Sequence, residues 1–179
     1  LYSQLGRKIR LMRYRDIDYI VFKTAYKRVG EGTAIIVKNG KTILVPPYPH
    51  IRRLAFIEAI PKYMREPFVI EEKLNGYNVR VVMIDNKLYA VTRGGYICPY
   101  TTARLRKLYE KRLYGFEKEY PDIVLAGEVV GLENPYVPYR YPEAPCFDYF
   151  IFDLISERGL TELKIRDEVV EKYRLKKVR

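Results

Sequence analysis

Glu71-Glu72-Lys73-Leu74-Asn75-Gly76 sets a lysine behind two carboxylates and ahead of an Asn-Gly corner, an arrangement suited to covalent chemistry. An amine attacks only as the free base, and neighbouring positive charge or desolvation favours that state. Three further sites carry residue types that fit the same work. Arg93 precedes Gly94 and Gly95 at a predicted strand end, where a phosphate or ribose can approach closely and a guanidinium can grip it. Glu128 lies inside the apolar run Ile123-Val124-Leu125-Ala126-Gly127-Glu128-Val129-Val130. A carboxylate there is costly unless it is paired, binds a metal or meets a ligand. Phe150 and Phe152 alternate onto one face of a strand over 148–154, where a ring packs the core or stacks on a base. Each pattern has an ordinary counterpart, since Asn-Gly also marks hairpins and glycine pairs mark turns. His50 is the one histidine and has no partner from which chemistry follows.

Composition narrows the setting. The 179 residues suffice for a domain with a real core, and an apolar fraction of 48% argues against disorder. No run approaches the roughly 18 apolar residues that span a bilayer, so no membrane is expected and the chain reads as soluble and cytoplasmic. Cys98 and Cys146 lack the companions of a zinc site or disulfide framework and read as small buried residues. The net charge of +11 favours a polyanionic partner, and 18 tyrosines add rings able to stack on bases.

The elements that must position these residues follow from patterning. A strand is predicted over 17–23, and a hairpin over 33–37 and 42–45 across Asn39-Gly40. Prolines 46, 47 and 49 end that sheet, and 50–63 carries a helical spacing of apolar residues. Pro67-Phe68-Val69-Ile70 reads as a strand leading into the Lys73 turn, with a second hairpin over 77–84 and 88–92. Thr101 or Thr102 is expected to cap a helix with Leu105, Leu108, Leu113 and Phe116 on one side and Arg104, Arg106, Lys107, Lys111 and Arg112 on the other. Strands over 122–130 and 148–154 and a charged helix over 161–175 complete the chain. Hairpins joined by a few helices predict an α+β fold of antiparallel sheets.

Taken in order, Glu-Glu-Lys-Leu-Asn-Gly-Tyr-Asn-Val-Arg at Lys73, Thr-Arg-Gly-Gly at Arg93, Ala-Gly-Glu-Val-Val-Gly at Glu128 and Tyr-Phe-Ile-Phe-Asp-Leu at Phe152 resemble one family. The pattern is similar to the covalent nucleotidyltransferases, the superfamily of ATP-dependent ligases and capping enzymes, and most closely to archaeal-type ATP-dependent RNA ligases. The resemblance implies the ligase nucleotidyltransferase (ATP-grasp-like) fold, with residues 1–65 as an N-terminal segment packed on the core and 66–179 as the N-terminal part of the nucleotidyltransferase domain. It implies ATP and Mg²⁺ (or Mn²⁺) as cofactors, RNA ends as partners, and a homodimer formed through regions beyond this chain. In residue terms it implies Lys73 as nucleophile, Arg93 on phosphate or ribose, and Glu128 on ribose or metal. Phe152 would stack on adenine, Glu71 or Glu72 and the backbone at Leu74 would read its edge, and Asn78 would touch sugar or phosphate.

Two departures qualify that picture. Asn75 stands where many DNA ligases carry Asp, as in the RNA ligase subgroup. The later Glu-Gly-x-Val and Lys-x-Lys strands have no counterpart, and Lys176-Lys177 does not match them, so the chain reads as a piece of a longer protein with weakened or absent activity. A DNA ligase or a GTP-using capping enzyme shares the class. A nucleic-acid-binding module without chemistry would explain the charge and tyrosines, but not Glu128 together with Lys73 and Arg93.

Overall fold

The computed structural model describes residues 5–64 and 68–179. Two sheets make up the fold. The first has four antiparallel strands in sequence order, β1 (Ile9–Tyr14), β2 (Ile17–Phe22), β3 (Ala34–Lys38) and β4 (Lys41–Val45). The second runs in the order β10, β8, β7, β5, β6, from β5 (Tyr77–Ile84), β6 (Lys87–Thr92), β7 (Val124–Val130), β8 (Asp148–Ser156) and β10 (Lys176–Lys177), with β9 (Gly159–Leu160) paired to β8. Its pairings are antiparallel except for β10 on β8. The helices are short: α1 (Ile60–Tyr63), α2 (Pro99–Leu105), α3 (Phe116–Glu119) and α4 (Leu163–Lys172).

Both predicted hairpins form where turn chemistry dictates. Asn39 and Gly40, like Asp85 and Asn86, adopt positive φ, the conformation that matches the twist of two antiparallel strands joined by two residues. Alternation then sorts β5 and β6. Val79, Val81, Met83, Leu88 and Ala90 enter the main core under α2 and α4, while Val82, Ile84, Tyr89 and Val91 join Ile17, Val21 and Ile36 of the first sheet in a second core. The second sheet is thus covered on both faces, as the near-continuous burial of β5 shows.

Arg80 locks the two sheets together. It is fully buried, and its guanidinium donates to the carbonyls of Gly32 at 2.9 Å, Thr92 at 2.5 Å and Arg93 at 3.3 Å, to Pro46, and at 3.5 Å to Val45. Burial pulls its pKa down to about 10, so it still carries its charge at neutral pH.

Several expectations are corrected. Pro67 lies outside the described residues, and Phe68, Val69 and Ile70 are exposed and form no strand, because no neighbouring edge pairs with them. Over 50–63 only a 3₁₀ turn (Ile57–Ala59) and α1 are helical; Ile51, Leu54 and Ile57 are exposed, and a short amphipathic pattern without a surface to pack on does not sustain a helix. Thr101 and Thr102 are not caps. Cys98 occupies that position, and both threonines are buried inside α2, where Thr101 meets the Tyr77 hydroxyl and Thr102 accepts from the Ala90 N–H. Leu108 is exposed because the helix passes into a π turn (Arg106–Glu110), and Arg106 leaves the solvent face to bond the Leu88 carbonyl and Glu110. Cys98 is only partly buried and Cys146 is exposed.

Replacing Arg80 by Met keeps much of the volume but strands several buried carbonyls. Arg80→Met should lower the unfolding free energy by about 3 kcal/mol or more in urea denaturation. A loss below about 1 kcal/mol, the size of an ordinary surface effect, would show that the clamp is dispensable.

Candidate active site

Several chain segments converge on an open cleft of about 1240 Å³. The 71–76 segment brings Glu71, Glu72, Lys73 and Leu74 to its wall, the start of β5 brings Asn78, and the end of β6 brings Arg93. β7 contributes Glu128 and β8 contributes Phe152, so the lysine segment, Asn78, Arg93, Glu128 and Phe152 line the same space, whereas Phe150 lies outside it, beside Tyr141 and Val178. His50 lines it too, from the extended segment after β4.

Register explains part of the convergence. Asn78 stands opposite Glu128 across β5 and β7, and Glu128 stands opposite Phe150 across β7 and β8. Gly76 passes so close to β7 that a Cβ there would lie 2.1 Å from the Val129 carbonyl and 3.0 Å from the Glu128 side chain. Only glycine lets the lysine segment pack at this distance. The segment is also tied at both flanks: the Glu72 N–H donates to the Arg179 carbonyl at 2.6 Å, and the Asn75 N–H to the Tyr141 hydroxyl at 2.6 Å.

Phe152 owes its place to a β-bulge. Across the pairing with β7, Ala126 faces Asp153 while Gly127 faces Ile151, leaving Phe152 as the extra residue. Tyr149, Ile151 and Leu154 enter the main core, so the alternation slips by one after Ile151 and both Phe152 and Asp153 leave that face. The Phe152 ring then sits edge-on to Tyr48, centroids 5.0 Å apart, and the Tyr48 hydroxyl donates to Asp153 at 2.6 Å. The carbonyl of Phe152 is taken by Arg166 of α4 at 2.8 Å, and the same guanidinium nitrogen reaches Glu71 at 2.5 Å.

Charge in the cleft is unevenly satisfied. Burial pushes the Glu128 carboxyl up, against the pull of the Lys73 ammonium and the Gly76 N–H. The buried Oδ1 of Asn78 has no hydrogen-bond partner among the described residues. Among the described residues the side chains of Lys73 and Arg93 form no ion pair or hydrogen bond, although Arg80 holds the carbonyl of Arg93 from behind. No group of three or more His, Cys, Asp or Glu side chains among the described residues gathers to hold a metal alone. A cation here would take Glu128 and draw its remaining ligands from a bound phosphate and water, which suits a hard ion such as Mg²⁺.

Tyr48, Arg166 and Tyr136 escaped the reading of the sequence. Tyr136 lines the mouth of the cleft with its ring 4.9 Å from that of Tyr77. Tyr48 stands among prolines in Pro46-Pro47-Tyr48-Pro49, an aromatic held by a stiff backbone, which is a readable signal. Arg166 is one of several charged residues in α4 and carries none.

An α+β fold of this kind around a lysine-bearing cleft defines a nucleotidyltransferase-type ligase core, and the comparisons with known proteins agree. A model of the RNA ligase family matches residues 66–179, and the chain belongs to that family. A solved archaeal ATP-dependent RNA ligase, form 1, superimposes with a TM-score of 0.89 at 31% identity, covering 99% of this chain and 48% of its own. A structure from Aquifex aeolicus, provisionally called an ATP-dependent DNA ligase, gives a TM-score of 0.84 at 35% identity over 99% of this chain and 48% of its own. Uncharacterized protein MJ0414 of Methanocaldococcus jannaschii is 37% identical over an alignment of 183 positions that covers 98% of this chain and 45% of that protein. The chain thus spans about half the length of the relatives it matches.

The raised Glu128 carboxyl sets a pH signature. A carboxyl that holds its proton more tightly folded than unfolded contributes stability at low pH that is lost as pH rises through its folded value. Glu128→Gln removes that loss. Its melting temperature should equal or exceed that of the parent at pH 7, with the difference shrinking toward about pH 4, near the ordinary glutamate range. A variant that melts lower at pH 7 would mean that attraction to Lys73 outweighs burial.

Proposed function

We propose that this chain carries the adenylate-forming centre of an ATP-dependent RNA ligase. The observation that supports it best is the gathering of Lys73, Arg93, Glu128, Asn78 and Phe152 on one cleft from several separate segments. Residues 1–65 would act as a segment packed on the core, and 66–179 as the first part of the nucleotidyltransferase domain.

In the first step the free amine of Lys73 attacks the α-phosphorus of ATP. A P–N bond forms, the bond to the β-phosphate breaks, pyrophosphate leaves and AMP stays on the lysine. An RNA 5′-phosphate oxygen then displaces the lysine and takes the AMP. Finally a 3′-hydroxyl attacks that 5′-phosphorus, AMP departs and the strand is sealed. Phe152 offers its ring to adenine, Glu71 or Glu72 and the Leu74 backbone read the base edge, and Asn78 would touch the sugar or phosphate. Arg93, with no partner of its own among the described residues, would hold a phosphate of the nucleotide or of the RNA end. Mg²⁺ or Mn²⁺, held from the protein side by Glu128, would offset charge on the transferring phosphoryl group. The Aquifex relative favours one alternative acceptor, a DNA end, within the same chemistry.

Intact mass after incubation with ATP and Mg²⁺ tests the first step, on this chain and on the longer polypeptide that its relatives' length suggests, each beside Lys73→Ala. The longer protein should gain one AMP and its Lys73→Ala variant none. Presenting nicked RNA and nicked DNA to the adenylated protein should show transfer to RNA. No gain with either ATP or GTP would overturn the proposal, and transfer to DNA alone would replace the acceptor.

A further inference from the structure

The geometry points to Arg166 as the residue that positions the base-reading wall of the nucleotide site, an inference that rests on the reading of the cleft as an ATP site. Arg166 is 3% exposed and lies on α4, behind the cleft. One nitrogen of its guanidinium donates both to Glu71 Oε1 at 2.5 Å and to the Phe152 carbonyl at 2.8 Å, and its Nε donates to Asp167 at 3.0 Å. Glu71 and Phe152 stand 81 residues apart in the chain and come from different elements, yet a single planar group holds both.

The bulge makes this contact necessary. A residue inserted between ladder pairs loses its strand partner, and the Phe152 carbonyl would then be left inside the protein without a donor. Arg166 supplies that donor. The same contact fixes the backbone from which the Phe152 ring projects into the cleft, while Tyr48, bonded to Asp153, closes against that ring from the side. The plane on which a base can stack is therefore set from behind by Arg166.

Glu71 is set by the same bond. Its Oε1 is taken, and the carboxylate keeps acceptor capacity toward the cleft that it lines. An ionised carboxylate can accept from an amino group but cannot donate. Adenine presents its N6 amino group where guanine, in the same pose, presents the O6 carbonyl oxygen. The Glu71 carboxylate, oriented by the Arg166 guanidinium, accepts from the first and repels the second, so Arg166 acts as a positioning residue for the choice of ATP over GTP.

A buried ion pair that merely ties α4 to the sheet would move stability and leave nucleotide choice alone. The two are separated by measuring lysyl-nucleotide formation with ATP and with GTP, over a range of concentrations, on the full-length protein and its Arg166→Gln, Arg166→Lys and Glu71→Gln variants. Arg166→Gln should raise the KM for ATP by about ten- to a hundredfold, the range for loss of a charge-assisted hydrogen bond, with a smaller change in kcat and a narrowed ATP/GTP ratio. Arg166→Lys keeps the charge but not the fork, and should recover part of both. Glu71→Gln should narrow the ratio as well, and adding it to Arg166→Gln should cost little more, since the two act as one unit. Melting curves report folding. If Arg166→Gln does not fold, Arg166→Lys and the partly exposed Glu71 decide the matter. Uptake of AMP by the parent with an unchanged KM and ATP/GTP ratio in the variants overturns the inference alone. Absence of uptake by the parent overturns the ATP-site reading, and this inference with it.

Discussion

One buried guanidinium sets the relation on which the cleft depends. Arg80 takes carbonyls from the loop before β3, from the end of β4 and from the end of β6, three places where strands stop and their ladders no longer satisfy the backbone. An unpaired carbonyl in the interior is costly, and so is an unpaired cation; gathering several of the former round one of the latter removes both costs together. Gly32, at φ +82, and Gly95, at φ +89, permit the close approach that this requires, since a Cβ on Gly32 would lie 2.3 Å from the Arg93 carbonyl. The clamp thereby fixes where β6 ends and Arg93 begins.

A second constraint acts from the other side of the sheet. The bulge in β8 turns both Phe152 and Asp153 away from the core, and the groups it disturbs are satisfied by side chains from outside the sheet, Arg166 below and Tyr48 beside. Burial pushes the Asp153 carboxyl up, against the hydrogen bond from Tyr48 and the charge of Arg166, so the acid remains there because those two groups hold it. The N-terminal segment is consequently part of the cleft wall: Tyr48 lies beyond the last strand of the first sheet, yet completes the surround of a ring on the second.

How far this was legible differs by kind of interaction. The hairpins at Asn39-Gly40 and Asp85-Asn86 were readable because the turn residues must accept positive φ, a local requirement. Glu128 was readable because charge within an apolar strand demands a reason, and the structure opens that position to the cleft beside Lys73. The segment over 50–63 misled, since helical spacing describes a face and says nothing of whether a surface exists to receive it. Phe150 and Phe152 do pack on the same cluster, but the slip that also releases Asp153 is invisible to simple alternation. The Arg166 to Glu71 bond, between residues 95 apart, belongs to the tertiary fold alone.

These constraints divide the charges of the protein into two sorts. Arg80, Arg166 and Lys38 are buried, and each is surrounded by carbonyls, carboxylates or a tyrosine hydroxyl. Lys73 and Arg93 are exposed to the cleft and have no such partners among the described residues. Buried cations whose donors are already taken by the scaffold have little left to offer a ligand, whereas exposed cations on a fixed backbone meet an arriving anion with little reorganisation. Lys73 and Arg93 are therefore cations that the scaffold holds in the cleft without partners among the described residues, placed to meet an anion that enters it.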